Sequence, residues 1–295
     1  MFKEYLQLVR LPGIFTAFSN VLIGYFFSFS FDSEIIFLPF LLTTSGLLFC
    51  SGMIFNDYFD YNVDKKQRSF RPLPSGKISK QNALLLGSIF IISANIFAFL
   101  VGFDTLIVSL ILSFSILFYN LKLKSISFFG IFNLSIIRML NVLLGFSIIG
   151  ISFEFFQYLL PIGIFVFGIS ILAKNEIKSN LIIYRKLNKI TIAITIAYVS
   201  ILVINNFQFE SLLLLGLFSF LSVYSLFFKK IQHQITFQLL LIILLDSILI
   251  SFFISAYFSF FVSLLIIPAY IISKKLKSDQ TDDPIKNRCI SIIWF

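Results

Sequence analysis

Charged residues are scarce in this sequence. Asp, Glu, Lys and Arg make up only 13% of its 295 residues, whereas a typical soluble domain has about 25%. The chain has one histidine and two cysteines, Cys50 and Cys289, which fit neither a disulfide framework nor the ligand spacing of a zinc site. These absences argue against a water-soluble enzyme, a disulfide-stabilised secreted domain and a His/Cys metal centre.

Apolar residues are abundant instead, at 58% of the chain with a mean hydropathy of +0.98. Runs of about 17 to 22 apolar residues recur along the whole length, and each can cross a hydrocarbon core about 30 Å thick. The sequence therefore predicts an all-α polytopic membrane protein. The final apolar stretch fits two spans or one span with a re-entrant segment, which gives nine to ten transmembrane helices. The predicted spans are residues 12–30, 36–55, 82–101, 105–121, 128–150, 156–173, 190–205, 211–228, 236–255 and 257–273.

The basic residues indicate the side of the membrane on which each loop lies. Of 23 Lys and Arg residues, only Arg138 falls inside a predicted span, and the others occupy the chain ends and alternate loops. Because Lys and Arg are retained on the cytoplasmic side, we expect both termini in the cytoplasm and the protein in the plasma (inner) membrane. The net charge of +9 is spread over membrane-proximal loops, which argues against nucleic-acid binding. We expect one membrane domain over residues 1–273 and a short cytoplasmic tail over 274–295.

The densest group of acidic residues follows the second predicted span. Asp57, Asp60 and Asp64 are three of the chain's 14 acids, and Asn56 precedes them. If the helix continues through Asp64, spacings of three and four place all four side chains on one face. Like charges at these spacings repel, so a cation is expected among them. Hard oxygen ligands in this number favour Mg²⁺.

Basic residues come directly after these acids. Arginine can donate paired hydrogen bonds to phosphate oxygens, and lysine adds point charge. The segment therefore predicts a site for Mg²⁺ and a diphosphate. The alternative is a solvated helix end whose acids simply pair with the bases that follow. The basic residues concerned are Lys65, Lys66, Arg68 and Arg71.

This pattern resembles the first signature of the UbiA superfamily of intramembrane prenyltransferases. The resemblance covers about residues 8–273 and implies a ring of helices around a lateral, lipid-accessible cavity. There, a prenyl diphosphate binds through Mg²⁺ and gives its prenyl group to a lipid-soluble or amphiphilic acceptor, aromatic or hydroxyl. The matching segments are Asn56-Asp57-x-x-Asp60-x-x-x-Asp64, Arg71-Pro72-Leu73-Pro74-Ser75-Gly76-Lys77, Arg10-Leu11-Pro12 and Tyr119-Asn120-Leu121-Lys122.

The resemblance also implies roles for individual residues. The three aspartates of the first signature are expected to be catalytic, and together with Asn56 to bind the metal. The residues expected to contact the diphosphate are Arg68, Arg71, Tyr119 and Lys122.

The second signature of the superfamily departs from its usual form in this chain. Two or more further aspartates are expected after the sixth span, but the sequence there is Lys174-Asn175-Glu176-Ile177-Lys178-Ser179-Asn180. Glu176 and Asn180 share a helix face and are predicted to complete the metal site. Lys174 and Lys178 share another face and are predicted to bind substrate, and a positively charged helix end on the cytoplasmic side accounts for them equally well. The missing aspartates allow three interpretations. One metal ion suffices for the reaction, or a lysine takes the place of the second metal ion, or the pocket binds something other than a diphosphate. The chain is thus predicted to be a divergent member.

Two ionisable residues lie within predicted spans, Arg138 and Asp246. Such groups are costly in hydrocarbon and mark functional sites by default. We expect Arg138 to face the cavity and contact the acceptor or the diphosphate, and Asp246 to pair with a neighbouring polar group. The alternative is a structural pair that joins two helices.

A second function remains open on these observations. The incomplete second signature and the intramembrane charges also suit a non-catalytic carrier or export component for an amphiphilic, lipid-like molecule. A phospholipid head-group phosphotransferase would need an Asp-Gly-x-x-Ala-Arg string, which the sequence lacks.

Overall fold

The computed structural model describes residues 2–29, 35–174, 181–254 and 256–278. Within these residues nine helices are long and apolar enough to cross a membrane, and a further apolar helix, Phe209–Ser225, has 17 residues. The prediction of an all-α polytopic bundle is confirmed. The α-helices are α1 (Phe2–Leu8), α2 (Ile14–Phe29), α3 (Phe37–Phe59), α4 (Tyr61–Gln67), α5 (Lys80–Val101), α6 (Phe103–Leu121), α7 (Ser127–Phe146), α8 (Phe156–Lys174), α9 (Leu181–Asn205), α10 (Phe209–Ser225), α11 (Ile231–Ile250), α12 (Ala256–Ser263) and α13 (Ile266–Ser278).

Several helices extend beyond the predicted spans. Helix α3 continues to Phe59, past the predicted end at residue 55, and α9 begins at Leu181 rather than at 190. The reason is that hydropathy finds only the part of a helix that lies in hydrocarbon, whereas backbone hydrogen bonds carry the helix on into polar surroundings. The last predicted span is divided in the structure into α12 and α13.

Helix α11 forms the centre of the bundle. Its span is 83% buried, and it packs against α2, α8 and α10. Helix α5, by contrast, is only 17% buried and packs mainly on α3. A helix whose backbone groups bond to one another can expose its apolar side chains to lipid. Helix α5 therefore belongs to the outer surface of the bundle and α11 to its core.

Helices α2 and α7 cross at unusually short distance because each contributes a glycine. A Cβ atom on Gly24 would lie 2.1 Å from the backbone nitrogen of Phe146, and one on Gly145 would lie 2.0 Å from the carbonyl oxygen of Val21. Small residues permit such close approach of helix backbones in membranes. The crossing brings Asn20 of α2 next to Arg138 of α7.

Candidate active site

The first signature lies where α3 meets α4. The helix does not run straight through Asp64 as the one-face prediction assumed, because α3 ends at Phe59 and Asp60 joins the two helices. The hydrogen-bond ladder nevertheless continues, since Asp60 N–H donates to the Asn56 carbonyl (3.1 Å) and Asp64 N–H to the Asp60 carbonyl (2.8 Å). Two different cations contact the four polar side chains, one through Asp57 and Asp64 and the other through Asn56 and Asp60.

Asp57 and Asp64 form the first pair, around Arg71. One Arg71 nitrogen, Nη1, lies 3.2 Å from Asp57 Oδ1 and 2.6 Å from Asp64 Oδ2. Arg68 adds a contact of 3.2 Å to Asp64 Oδ1. Burial alone would lower the pKa of Arg71, but the charges of Asp57 and Asp64 outweigh it and raise that pKa. Arg71 therefore stays charged, and the structure brings Arg68 and Arg71 together with these two aspartates as ion pairs.

Asn56 and Asp60 form the second pair, around Lys124. The Lys124 ammonium donates to Asn56 Oδ1 at 2.6 Å and to the Asp60 carboxylate. Lys124 lies on a 3₁₀ turn, Leu123–Ser125, that follows α6. The predicted Lys122 is exposed, and among the residues that the structure describes it is Lys124 that reaches this pair. Burial lowers the pKa of the Lys124 ammonium, although the Asp60 carboxylate opposes the shift.

Arg10 is a further member of the cluster that the sequence analysis did not assign to the site. Its Nη2 donates to Asp57 Oδ1 at 2.6 Å, and the residue is only 3% exposed. Arg10 has φ 51°, the one positive φ of a non-glycine residue in the described ranges. This left-handed backbone, costly for such a residue, lies between α1 and the 3₁₀ turn that begins at Leu11. The only indication of Arg10 in the sequence was the family resemblance of the segment Arg10-Leu11-Pro12.

A cavity of about 80 Å³ opens beside Asn56, between α3, α6 and α7. The predicted Tyr119 and Arg138 both line it. Asn120 also lines it, and its buried side-chain oxygen has no hydrogen-bond partner in the described part of the chain. Most of the wall is apolar. The remaining lining residues are Ala17, Ser45, Leu48, Phe49, Gly52, Met53, Leu112, Ile116, Leu134, Ile137, Asn141 and Val166.

Arg138 and Asp246 are connected through Asn20. Arg138 Nη1 donates to Asn20 Oδ1 at 3.3 Å, and Asn20 Nδ2 donates to both Asp246 oxygens at 2.9 and 3.0 Å. Ser19 Oγ adds a hydrogen bond of 2.5 Å to Asp246. Arg138 therefore lines the cavity, and it is also linked indirectly to Asp246, through Asn20, across three helices. Its predicted contact with the acceptor or the diphosphate remains a prediction.

The second signature is described only at its first residue. Lys174 Nζ donates to the Ile126 carbonyl at 3.0 Å, on the loop that carries Lys124. The predicted ligands Glu176 and Asn180 and the predicted Lys178 lie outside the described residues, so their roles remain predictions.

The first cluster fits Mg²⁺ by its donor chemistry. In the described ranges no three His, Cys, Asp or Glu side chains gather as a metal-binding group. Mg²⁺, however, is commonly held by one or two carboxylates, with waters and substrate phosphates completing its shell. Asn56 Oδ1 and Asp60 Oδ2 already converge on one cationic atom, Lys124 Nζ.

Comparison with known proteins identifies the family. The model of the UbiA prenyltransferase family matches residues 17–231. The chain belongs to this family. The resemblance drawn from the first signature is thereby confirmed.

Individual relatives agree with this assignment. The chain is 34% identical over 164 residues to a digeranylgeranylglyceryl phosphate synthase of Methanococcoides burtonii, covering 51% of this chain and 56% of that protein. It is 28% identical over 160 residues to the enzyme of the same name from Saccharolobus solfataricus, covering 54% and 55%. The chain thus spans about half the length of the curated relatives it matches.

The fold also matches a solved structure, that of a UbiA homolog from Archaeoglobus fulgidus bound to GPP and Mg²⁺. The two superimpose with a TM-score of 0.66 at 14% identity, over 88% of this chain and 99% of the other. At this identity the likeness establishes the fold, and it confirms the predicted UbiA-type bundle.

Proposed function

We propose that the protein transfers a prenyl group from a prenyl diphosphate to an acceptor within the membrane, with Mg²⁺ as cofactor. The observation that carries this proposal is the buried cluster of acidic and basic side chains around Asn56, which opens on an apolar cavity. Carboxylates can hold a divalent cation, and the adjacent guanidinium and ammonium groups can receive the phosphate oxygens. The cavity walls can receive the prenyl chain.

The metal site proposed here consists of Asn56, Asp57, Asp60 and Asp64, with Glu176 and Asn180 completing it. When bound, Mg²⁺ would supply Lewis-acid stabilisation of the diphosphate oxygens. We assign diphosphate contacts to the basic residues that surround these ligands and to Tyr119. The proposed substrate-binding residues are Asn56, Arg68, Arg71, Tyr119, Lys122, Arg138, Lys174 and Lys178, to which the contacts of Arg10 and Lys124 add two further candidates.

The chain's own residues would stabilise the leaving group. The allylic carbon–oxygen bond breaks, the diphosphate leaves with the electron pair, and the acceptor forms the new bond and loses a proton, which the released diphosphate can accept. Arg68 and Arg71 donate hydrogen bonds that strengthen as negative charge grows on the departing oxygen, so they act more in the transition state than before it. The apolar wall excludes water, which would otherwise capture the allylic cation.

The acceptor is proposed to enter beside Arg138 and Asn120. The matched relatives are named as synthases of a glyceryl phosphate lipid, which makes a hydroxyl acceptor with an anionic group one candidate. Arg138 could bind the anionic group, and the unpaired Asn120 oxygen could accept a hydrogen bond from the hydroxyl. An aromatic acceptor is the other candidate. At about 80 Å³ the cavity is smaller than the about 300 Å³ usual for ligand pockets, so bound substrates must widen it or extend towards the lipid.

Membranes containing the protein, incubated with labelled prenyl diphosphates and Mg²⁺, test the proposal. Prenylated lipid and released diphosphate, identified by mass spectrometry, are the expected result. Saturable binding of the diphosphate without turnover would indicate a carrier instead.

A further inference from the structure

Lys124 lies at the point where two oxygens of the first signature converge. Its Nζ contacts Asn56 Oδ1 at 2.6 Å and the Asp60 carboxylate, across 68 and 64 residues of sequence. The Lys124 and Asp60 side chains are 28% and 22% exposed, so the pair is largely shielded from water. The ammonium therefore occupies the place that any other cation shared by these two oxygens would take.

The turn that carries Lys124 is held by hydrogen bonds and close packing. Lys174 Nζ donates to the Ile126 carbonyl at 3.0 Å, and Ile126 N–H donates to the Leu123 carbonyl at 3.0 Å. A Cβ atom on Gly130 would lie 2.7 Å from both the Leu123 oxygen and Lys174 Nζ, so the turn packs closely on the start of α7. These contacts hold the backbone of Lys124 in place beside Asn56 and Asp60.

We propose that Lys124 is an internal counter-ion that makes divalent-metal binding at Asn56 and Asp60 conditional on a diphosphate. The inference rests on the proposed function. An ammonium and a divalent cation repel each other and compete for the same two oxygens. A diphosphate gives the ammonium another anionic partner, so Lys124 moves to the phosphate oxygens and releases both ligands. The metal and the diphosphate then bind together, and the metal alone binds weakly.

Mn²⁺ is the probe for the test, since its free form is measured by electron paramagnetic resonance. The protein in detergent is titrated with Mn²⁺, with and without inorganic pyrophosphate, and protein-free titrations measure the Mn²⁺ that pyrophosphate binds by itself, which is subtracted. Without pyrophosphate we expect Lys124→Met to bind Mn²⁺ at least about tenfold more tightly than the wild type, because one nearby positive charge is removed. Lys124→Arg keeps the charge and should bind like the wild type.

Lys229→Met is the matched control, because Lys229 is exposed and the substitution removes the same charge. Its Mn²⁺ affinity should equal that of the wild type. With pyrophosphate present, wild-type affinity should rise and its difference from Lys124→Met should shrink. Lys124→Gln provides a second variant if Lys124→Met does not fold.

Two results would overturn the proposal. One is Mn²⁺ affinity of the folded Lys124→Met or Lys124→Gln protein that is no tighter than wild type. The other is an equal gain in Lys229→Met. Because this assay involves no turnover, it separates the two claims. A protein that shows the expected Mn²⁺ pattern but transfers no prenyl group would contradict the proposed function and leave this inference intact.

Discussion

At the scale of single residues, the candidate site balances its charges over very short distances. Arg71 contacts both Asp57 and Asp64, Arg10 adds to Asp57, and Lys124 contacts Asp60. In surroundings of this kind, removal of one partner leaves a buried charge without compensation. Substitution of a fully buried partner should therefore mainly reduce the stability of the fold, whereas substitution of a partly exposed one should mainly affect the binding of metal and substrate.

Asp60→Asn tests the proposed metal role with a nearly isosteric change. Loss of the negative charge weakens the hold on a divalent cation, and we expect kcat for prenyl transfer to fall by at least about 100-fold. The measurement is product formation in membranes at saturating Mg²⁺. Glu154→Gln, at an exposed position near the opposite end of α7, should keep wild-type activity. Full, Mg²⁺-dependent activity in Asp60→Asn would contradict the assignment.

Arg71→Met tests the buried ion pairs. Asp64 is fully buried and Asp57 is 5% exposed at its side chain, so we expect the free energy of unfolding to decrease by about 3 kcal/mol. Lys77→Met is the comparison, because the Lys77 side chain is 59% exposed and lies 3.9 Å from Glu4. That loss should stay below about 1 kcal/mol. The free energies of unfolding of both variants are measured in detergent. Equal decreases would contradict the claim that the buried ion pairs of Arg71 contribute more to stability than an exposed one.

At the scale of helices, two features position the site. The four polar side chains where α3 meets α4 contact two different cations, Arg71 through Asp57 and Asp64 and Lys124 through Asn56 and Asp60. The close crossing of α2 and α7 brings Asn20 to Arg138 and allows the link to Asp246 on α11. Polar contacts of this kind depend on the distance between the helix backbones. The two glycines at the crossing keep that distance short.

Gly145→Ala tests that crossing. The new Cβ atom would lie 2.0 Å from the Val21 carbonyl oxygen, so α2 and α7 must separate. We expect the protein to lose about 2 kcal/mol of stability and its cavity to change shape at Arg138. Gly216→Ala is the matched control in α10, since no other part of the described chain comes within 4 Å of its added Cβ, and it should be neutral or slightly stabilising. If both variants unfold at the same temperature, the crossing is not tightly packed.

At the scale of the whole molecule, the distribution of charge gives the bundle a direction. The acidic cluster, the loop at Lys124 and the exposed Lys229 all belong to ends of helices that the basic residues predict to be cytoplasmic. Two basic residues, Lys274 and Lys275, lie on α13, which continues to Ser278.

Labelling of single cysteines tests the orientation. In a Cys50→Ala, Cys289→Ser background, Lys229→Cys should react with a membrane-impermeant maleimide only from the cytoplasmic side, and Ser152→Cys only from the other side. Retention of Lys and Arg in the cytoplasm is the physical reason. Intact cells and inverted vesicles provide the two accessible faces. Reaction of both cysteines from the same face would refute the topology.

The sequence by itself determined three things: that lipid surrounds this chain, roughly which segments span the membrane, and which family the first signature belongs to. Each of these depends on local properties: apolar runs as long as a membrane is thick, and a contiguous polar motif at fixed spacing. Helix ends were less predictable, as α3 and α9 illustrate, because hydropathy reports the solvent around a segment and not the backbone hydrogen bonds that continue it.

Only the tertiary structure decided which residues complete the cluster. Arg10 and Lys124 reach Asp57 and Asp60 across 47 and 64 residues, and Arg138 is linked to Asp246 through Asn20. The resemblance implied Lys122, and nothing in the sequence indicated that the 3₁₀ turn after α6 brings Lys124 to Asp60. Such contacts depend on the packing of distant helices and on the direction of a single turn, which are properties of the assembled bundle and of no single segment.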